Sequence, residues 1–233
     1  LSVLEYLLGK ENNASPEQGY FLGETWRMRP EINDFISQEF YNGKLGTKEV
    51  VKLREIEDIR NGVYFSEVEH QDCQKESGEE ASEVCRIIRS LLGMKYLEEK
   101  GTERLITQDD VIVLAPYGDQ VSRINEELYQ EQISGVKVGT VDKFQGQEAP
   151  IAIYSMTSST PEDIPTGRYE FIFSPNRLNV AVSRAKCVAV IVASPNLVNT
   201  QPKSIIDMEN LNHVCRIFQD TKGRPPLSEA FRK

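Results

Sequence analysis

The chain has 233 residues, 39% of them apolar, enough for one large domain with a real core. Its formal net charge of -9 gives no overall basic field, so any nucleic-acid binding has to come from a local patch. Cys73, Cys85, Cys187 and Cys215 form no C-x-x-C pair, which argues against a zinc site or a disulfide framework, and no run approaches the roughly 18 apolar residues of a membrane span.

LSVLEYLLGKENNA lacks the basic start and small-residue cleavage site of a signal peptide, so a cytoplasmic protein is expected. The absence of an initial Met suggests a piece of something larger. Residues 1 to 9 read as a short amphipathic helix. A second helix should open at Pro30, carry Ile32, Phe35, Ile36 and Phe40 inward, and stop at Asn42-Gly43. GVYFSEVEH alternates like a strand, and the apolar spacing of Val84, Ile87, Ile88, Leu91 and Leu92 predicts a long helix from about Glu79 to Glu98. Strand-like runs VIVLAP, VKVGTVD, IAIYSMT and CVAVIVAS follow, with helical GDQVSRINEELYQEQ and NRLNVAVSRAK among them. Apolar strands alternating with amphipathic helices predict one α/β domain whose parallel sheet is covered on both faces. SSTPEDIPTGRYEF reads as an exposed loop, and the acidic runs EEASE and NEEL as solvated helix faces.

In such sheets ligands gather where strands end at their carboxyl edge. That rule selects Pro116-Tyr117-Gly118, Gly139 to Asp142, Ser155 to Ser159 and Ser194-Pro195-Asn196, with the chemistry expected around the first three. In GTVDKFQGQEAP, the Thr140 hydroxyl and the amides around Gly146 suit phosphate oxygens, and Glu148 suits a ribose hydroxyl. The same residues also suit a plain connection that uses Gly146 for a positive φ. If NRLNVAVSRAK is helical throughout, Arg177 and Arg184 share one stripe, either as phosphate-directed guanidiniums or as a solvated face. In TWRMRP, Trp26 beside Arg27 and Arg29 is either a stacking platform or a core anchor. His70 and His213 have no ligand-like spacing, Ser155, Ser158 and Ser159 lack the context of a nucleophile elbow, and no metal ligands are expected.

Taken in order, WRMRPEINDFISQEFYNGKL, VIVLAPYGDQVSRI, VGTVDKFQGQEAPIAIYSM and RLNVAVSRAKCVAVIVAS resemble motifs IV through VI, with the R-M-H-P element, of the second RecA-like domain of superfamily 1 helicases. The branch is the one containing the nonsense-mediated-decay helicase and the bacterial nuclease-helicase fusions. The resemblance implies a RecA-like parallel sheet over 26–220, a lead-in over 1–25 that joins to a first motor domain, and a tail over 221–233. It implies ATP with Mg²⁺ as cofactor, Arg27 and Arg184 as arginine fingers, and Trp26, Gln145, Gly146 and Glu148 near the nucleotide. Pro116, Tyr117, Thr140 and Asp142 would face a single strand of nucleic acid, DNA more than RNA, with 5′ to 3′ movement. The family's His is Arg29 here, and the second Arg of its last motif is Lys186.

Nowhere does the sequence contain G-x-x-x-x-G-K-[ST] or an acidic pair ending a strand, so the phosphates and Mg²⁺ are expected to be held by the first motor domain, and the isolated chain to be inactive. The rival expectation is a motor-dead module that binds nucleic acid or docks a protein.

Overall fold

The computed structural model describes residues 19–144, 146–164, 172–198 and 205–221. Two short strands, β1 (Glu24–Thr25) and β2 (Gly46–Thr47), pair in parallel around helix α1 (Pro30–Tyr41). Pro30 opens α1 and Asn42, in the left-handed conformation, closes it, as the sequence predicts. Next come β3 (Glu55–Ile56), β4 (Gly62–Glu67), α2 (Gly78–Leu91), β5 (Lys95–Leu97) and β6 (Glu103–Leu105). The rest of the chain supplies β7 (Val111–Ala115), α3 (Gly118–Gln130), β8 (Lys137–Thr140), β9 (Ala149–Ser155), α4 (Pro175–Val182), β10 (Ala185–Ala193) and α5 (Ile205–Thr221).

Strands β4, β10, β9, β7 and β8 form one five-stranded sheet in that order, and every pairing in it is parallel. β7 and β9 are buried at every position, the continuous apolar run that a sheet covered on both faces demands. Alternation along β10 divides the core. Ala189, Ile191 and Ala193 pack with α1, α4 and α5, whereas Val188, Val190 and Val192 pack with α2 and α3. Ile88 and Leu91 of α2 are completely buried, each contributing about 1.5–3 kcal/mol of apolar transfer. This is the RecA-like α/β architecture that the motif order implies. All four cysteines are free thiols. Among the described residues no helix is long and apolar enough to cross a membrane.

Several expectations need correcting. The helix expected to run to Glu98 ends at Leu91, because Gly93 takes φ +83 and the chain turns into β5. β5 lies between β3 and β6 in a small antiparallel sheet that periodicity did not reveal, its strands being only two or three residues long. Arg177 and Arg184 do not share a helical stripe: α4 stops at Val182, Ser183 caps it, and β10 has begun by Ala185. The loop read as exposed begins with Ser158 and Ser159 completely buried, and Glu80, inside the acidic run EEASE, is completely buried as well. The expected lead-in helix over 1–9, the tail beyond Thr221 and Gln145 lie outside the described residues.

Candidate functional site

Pro30 commits the chain to α1 and holds Arg29 before it extended, and Trp26 to Met28 reach Arg29 through a bend. The Arg29 amide donates to the Lys186 carbonyl (2.9 Å), which lays that approach beside the first residues of β10. Arg54, only 4% exposed, fixes it from the other side. Its guanidinium donates to the carbonyls of Arg27 and Trp26 and, through Nε, to Glu99 (2.8 Å). Arg29 replaces the family's His with a structural fork: Nε and Nη2 bond the Glu31 carboxylate (3.1 and 2.8 Å), and Nη1 bonds the carbonyls of Lys52 and Arg54.

So held, Arg27 crosses the turn between α4 and β10. Its Nη1 donates to the Ser183 carbonyl (3.1 Å) and its Nε to Glu148 Oε2 (2.7 Å), while Lys186 Nζ stands 3.1 Å from Glu148 Oε1. Burial opposes ionisation of Glu148, but the bonds from Arg27 and Lys186 prevail and hold its carboxyl below the usual carboxylate range. Arg184 differs. It is 6% exposed, its Nη1 reaches only the Gln147 carbonyl (3.2 Å), its Nε has no hydrogen-bond partner, and it makes no ion pair among the described residues. Burial pulls the Arg184 guanidinium below its ordinary value and the Arg27 charge pulls it further, with Glu148 opposing. A desolvated cation with unspent donors is suited to an anion supplied from outside the domain.

This cluster gathers at the amino ends of β9 and β10, contrary to the carboxyl-edge rule: Gln147 and Glu148 directly precede β9, and Arg184 directly precedes β10. Gly146 takes φ +86, and a Cβ there would meet nothing within 4 Å, so this glycine serves the turn rather than a close approach. Trp26 is 65% exposed with Lys48 Nζ 5.3 Å from its ring centroid, which removes the core-anchor reading.

The other expected residues lie at the opposite edge. Pro116 and Tyr117 are buried in the turn between β7 and α3, and Thr140, half-buried, ends β8. Asp142 pairs with Arg177 Nη1 (3.2 Å) near the amino end of α4. The structure therefore sends Arg177 and Arg184 to opposite edges of the sheet.

Sequence reasoning missed a buried polar cluster at the exits of β4, β7 and β9. His70 bonds Ser159 Oγ through Nδ1 (2.7 Å) and Glu80 Oε1 through Nε2 (3.0 Å). Glu80 also accepts the Ser155 hydroxyl and the Thr157 amide, and Gln120 Nε2 donates to Ser155 Oγ (2.9 Å). No single-sequence signal marks Glu80, since its neighbours Glu76, Glu79 and Glu83 share its chemistry without its burial. A groove of about 440 Å³ between α1 and α5, lined by Glu31, Asp34, Phe35, Arg60, Ile217 and Thr221 among others, contains none of the expected residues.

A family model described as "AAA domain" matches residues 2–196. The chain is 30% identical over 168 residues to NFX1-type zinc finger-containing protein 1 of Mus musculus, covering 69% of this chain and 8% of the relative. It is 30% identical over 192 residues to DNA polymerase alpha-associated DNA helicase A of Saccharomyces cerevisiae, covering 75% of this chain and 27% of the relative. It is 31% identical over 113 residues to RNA helicase Mov10l1 of Mus musculus, covering 47% of this chain and 10% of the relative. The chain thus spans less than a third of the length of each.

Proposed function

We propose, from the premise that this chain belongs to the AAA domain family and is a superfamily 1 helicase domain, that it is the second motor domain of an ATP-dependent helicase. The observation that carries the reading is Arg184, nearly buried, without an ion pair among the described residues, and left with an unpartnered Nε. When bound, ATP with Mg²⁺ supplies the transferable phosphoryl group, and the cleft for it is completed by a first motor domain. Arg184 then donates to a phosphate oxygen, its charge already desolvated, so that its field there is strong. Arg27, held by Ser183 and Glu148, supplies the second cation, and its Nη2 makes no hydrogen bond among the described residues. Glu148 is engaged by Arg27 and Lys186, so positioning these cations fits it better than reading a ribose hydroxyl. The exposed face of Trp26 offers a platform for a flat base.

At the far edge, the half-buried Thr140, the exposed Asp142 and the backbone of the Pro116-Tyr117 turn, whose side chains are buried, face a single strand of nucleic acid, DNA in the first instance. Binding of this kind is largely independent of sequence and falls with salt. The test is Arg184→Ala in a protein carrying both motor domains. Loss of an arginine finger lowers ATP turnover by about 10³-fold or more. Turnover within a few-fold of the parent refutes the assignment.

A further inference from the structure

A buried carboxylate without a permanent cation beside it costs several kcal/mol of lost hydration. Glu80 is such a group: it is 0% exposed and has no Lys or Arg ion pair among the described residues. Two residues past β9, Thr157 takes φ +79, a conformation that a β-branched side chain resists at a cost on the order of 1–3 kcal/mol. The two anomalies are one structure, because the Thr157 amide donates to both Glu80 oxygens at 3.0 Å. From Glu80 the bonding continues through the Ser155 hydroxyl to Gln120 Nε2, and Gln120 in turn clamps the Ser77 amide (2.7 Å) and carbonyl (3.2 Å). Gln120 stands in the first turn of α3, three residues beyond Tyr117. Ser159, His70 and Glu80 line up in the order of a hydrolytic triad, but burial of all three denies a substrate any approach, so their role is structural.

We propose that Glu80 is a positioning residue for the grip on a nucleic-acid strand. It holds the strained exit of β9 in place and, through Ser155 and Gln120, fixes the Pro116-Tyr117 turn, whose buried side chains anchor a backbone that, with the exposed Gly118, faces the strand. This rests on the nucleic-acid reading of that turn given above. Nature tolerates a costly buried group and a strained backbone together where geometry matters more than stability.

The experiment uses a protein carrying both motor domains and measures anisotropy with a fluorescein-labelled oligothymidylate, and with the matching oligouridylate. Glu80→Gln sets an amide N–H against the Thr157 N–H whichever way it turns. It should weaken strand binding about tenfold, equivalent to about 1.4 kcal/mol. Ser155→Ala, which removes only the hydroxyl between Glu80 and Gln120, should weaken it about threefold, and it decides the matter if Glu80→Gln does not fold. In ATPase assays the strand concentration for half-maximal rate should rise in proportion, while turnover at saturating strand changes less than about twofold. A merely structural defect lowers turnover and stability together instead, and that pattern overturns the proposal. Binding within about twofold of the parent in every folded Glu80 and Ser155 variant also overturns it. Thr140→Ala, at the half-buried end of β8 on the same edge, separates the two readings: if it weakens binding while the others do not, only the positioning role fails. If it too leaves binding intact, the nucleic-acid reading of that edge fails as well.

Discussion

Replacing Arg184 by Met should make the fold more stable while it abolishes the motor. Arg184 is 6% exposed and its Nε is buried without a partner, a condition that costs about 1–3 kcal/mol. The substitution gives up one long hydrogen bond, 3.2 Å to the Gln147 carbonyl, worth about 0.5–1.5 kcal/mol. Gln147 is an exposed residue, so its carbonyl is expected to turn to water. Met keeps an unbranched apolar stem of similar length, and repulsion from Arg27 disappears. The balance is a gain of about 1 kcal/mol, which for a chain of this size raises Tm by roughly 2–4 °C. Differential scanning calorimetry of the 233-residue chain at pH 7, with urea midpoints as a second measure, reads the effect. A fall in Tm of more than about 2 °C refutes the reasoning, because it would mean that Arg184 is a structural strut rather than a cation kept for a ligand.

Gly139→Ala should destabilise the chain by about 1–3 kcal/mol, since its Cβ would stand 2.9 Å from Lys143 Cδ and 3.0 Å from the ring of the buried Phe144. Lys143 can swing aside but Phe144 cannot, so urea unfolding should show the loss, and an unchanged midpoint would contradict it. In acid, Arg54 holds the Glu99 carboxyl down to about 2 against an ordinary value of 4.5, burial opposing. A carboxyl depressed by folding stabilises fully above its unfolded value and loses that contribution as pH falls from about 4.5 toward 2. Glu99→Gln should therefore lower stability at pH 7 yet flatten the decline across that window, and urea midpoints with parallel slopes in both proteins would count against the Arg54 contact.

The sheet was legible because each buried strand is a run of Val, Ile, Leu and Ala bounded by helices with a clear apolar stripe. Such runs are rare outside parallel sheets. The small antiparallel sheet was not, because KYL and ERL are too short to show a period and MKYLEE continues the helical spacing of α2 past Gly93. At the site, Arg27, Arg184 and Glu148 were named in advance and the structure brings them together with Lys186, but at the edge of the sheet that the carboxyl-end rule passes over. That rule describes cradles made by helix amino ends, whereas a guanidinium on a long stem needs only a place to reach from. Arg54 and Glu80 were invisible for a common reason. A charged residue is read as solvated by default, and only the fold reveals which one the chain has closed over.

Residues 141–144 leave β8 at one edge of the sheet and 146–148 enter β9 at the other, and the stretch from α4 into β10 makes the same journey beside them. Each end of the pair is pinned, by Arg177 on Asp142 and by Arg184 on the Gln147 carbonyl. Mechanically this is a connecting rod braced against a second rod. On the proposed reading, a strand at Thr140 and a phosphate at Arg184 would meet opposite ends of this short connection. The distance between the two proposed contacts is then set by the span of the sheet itself.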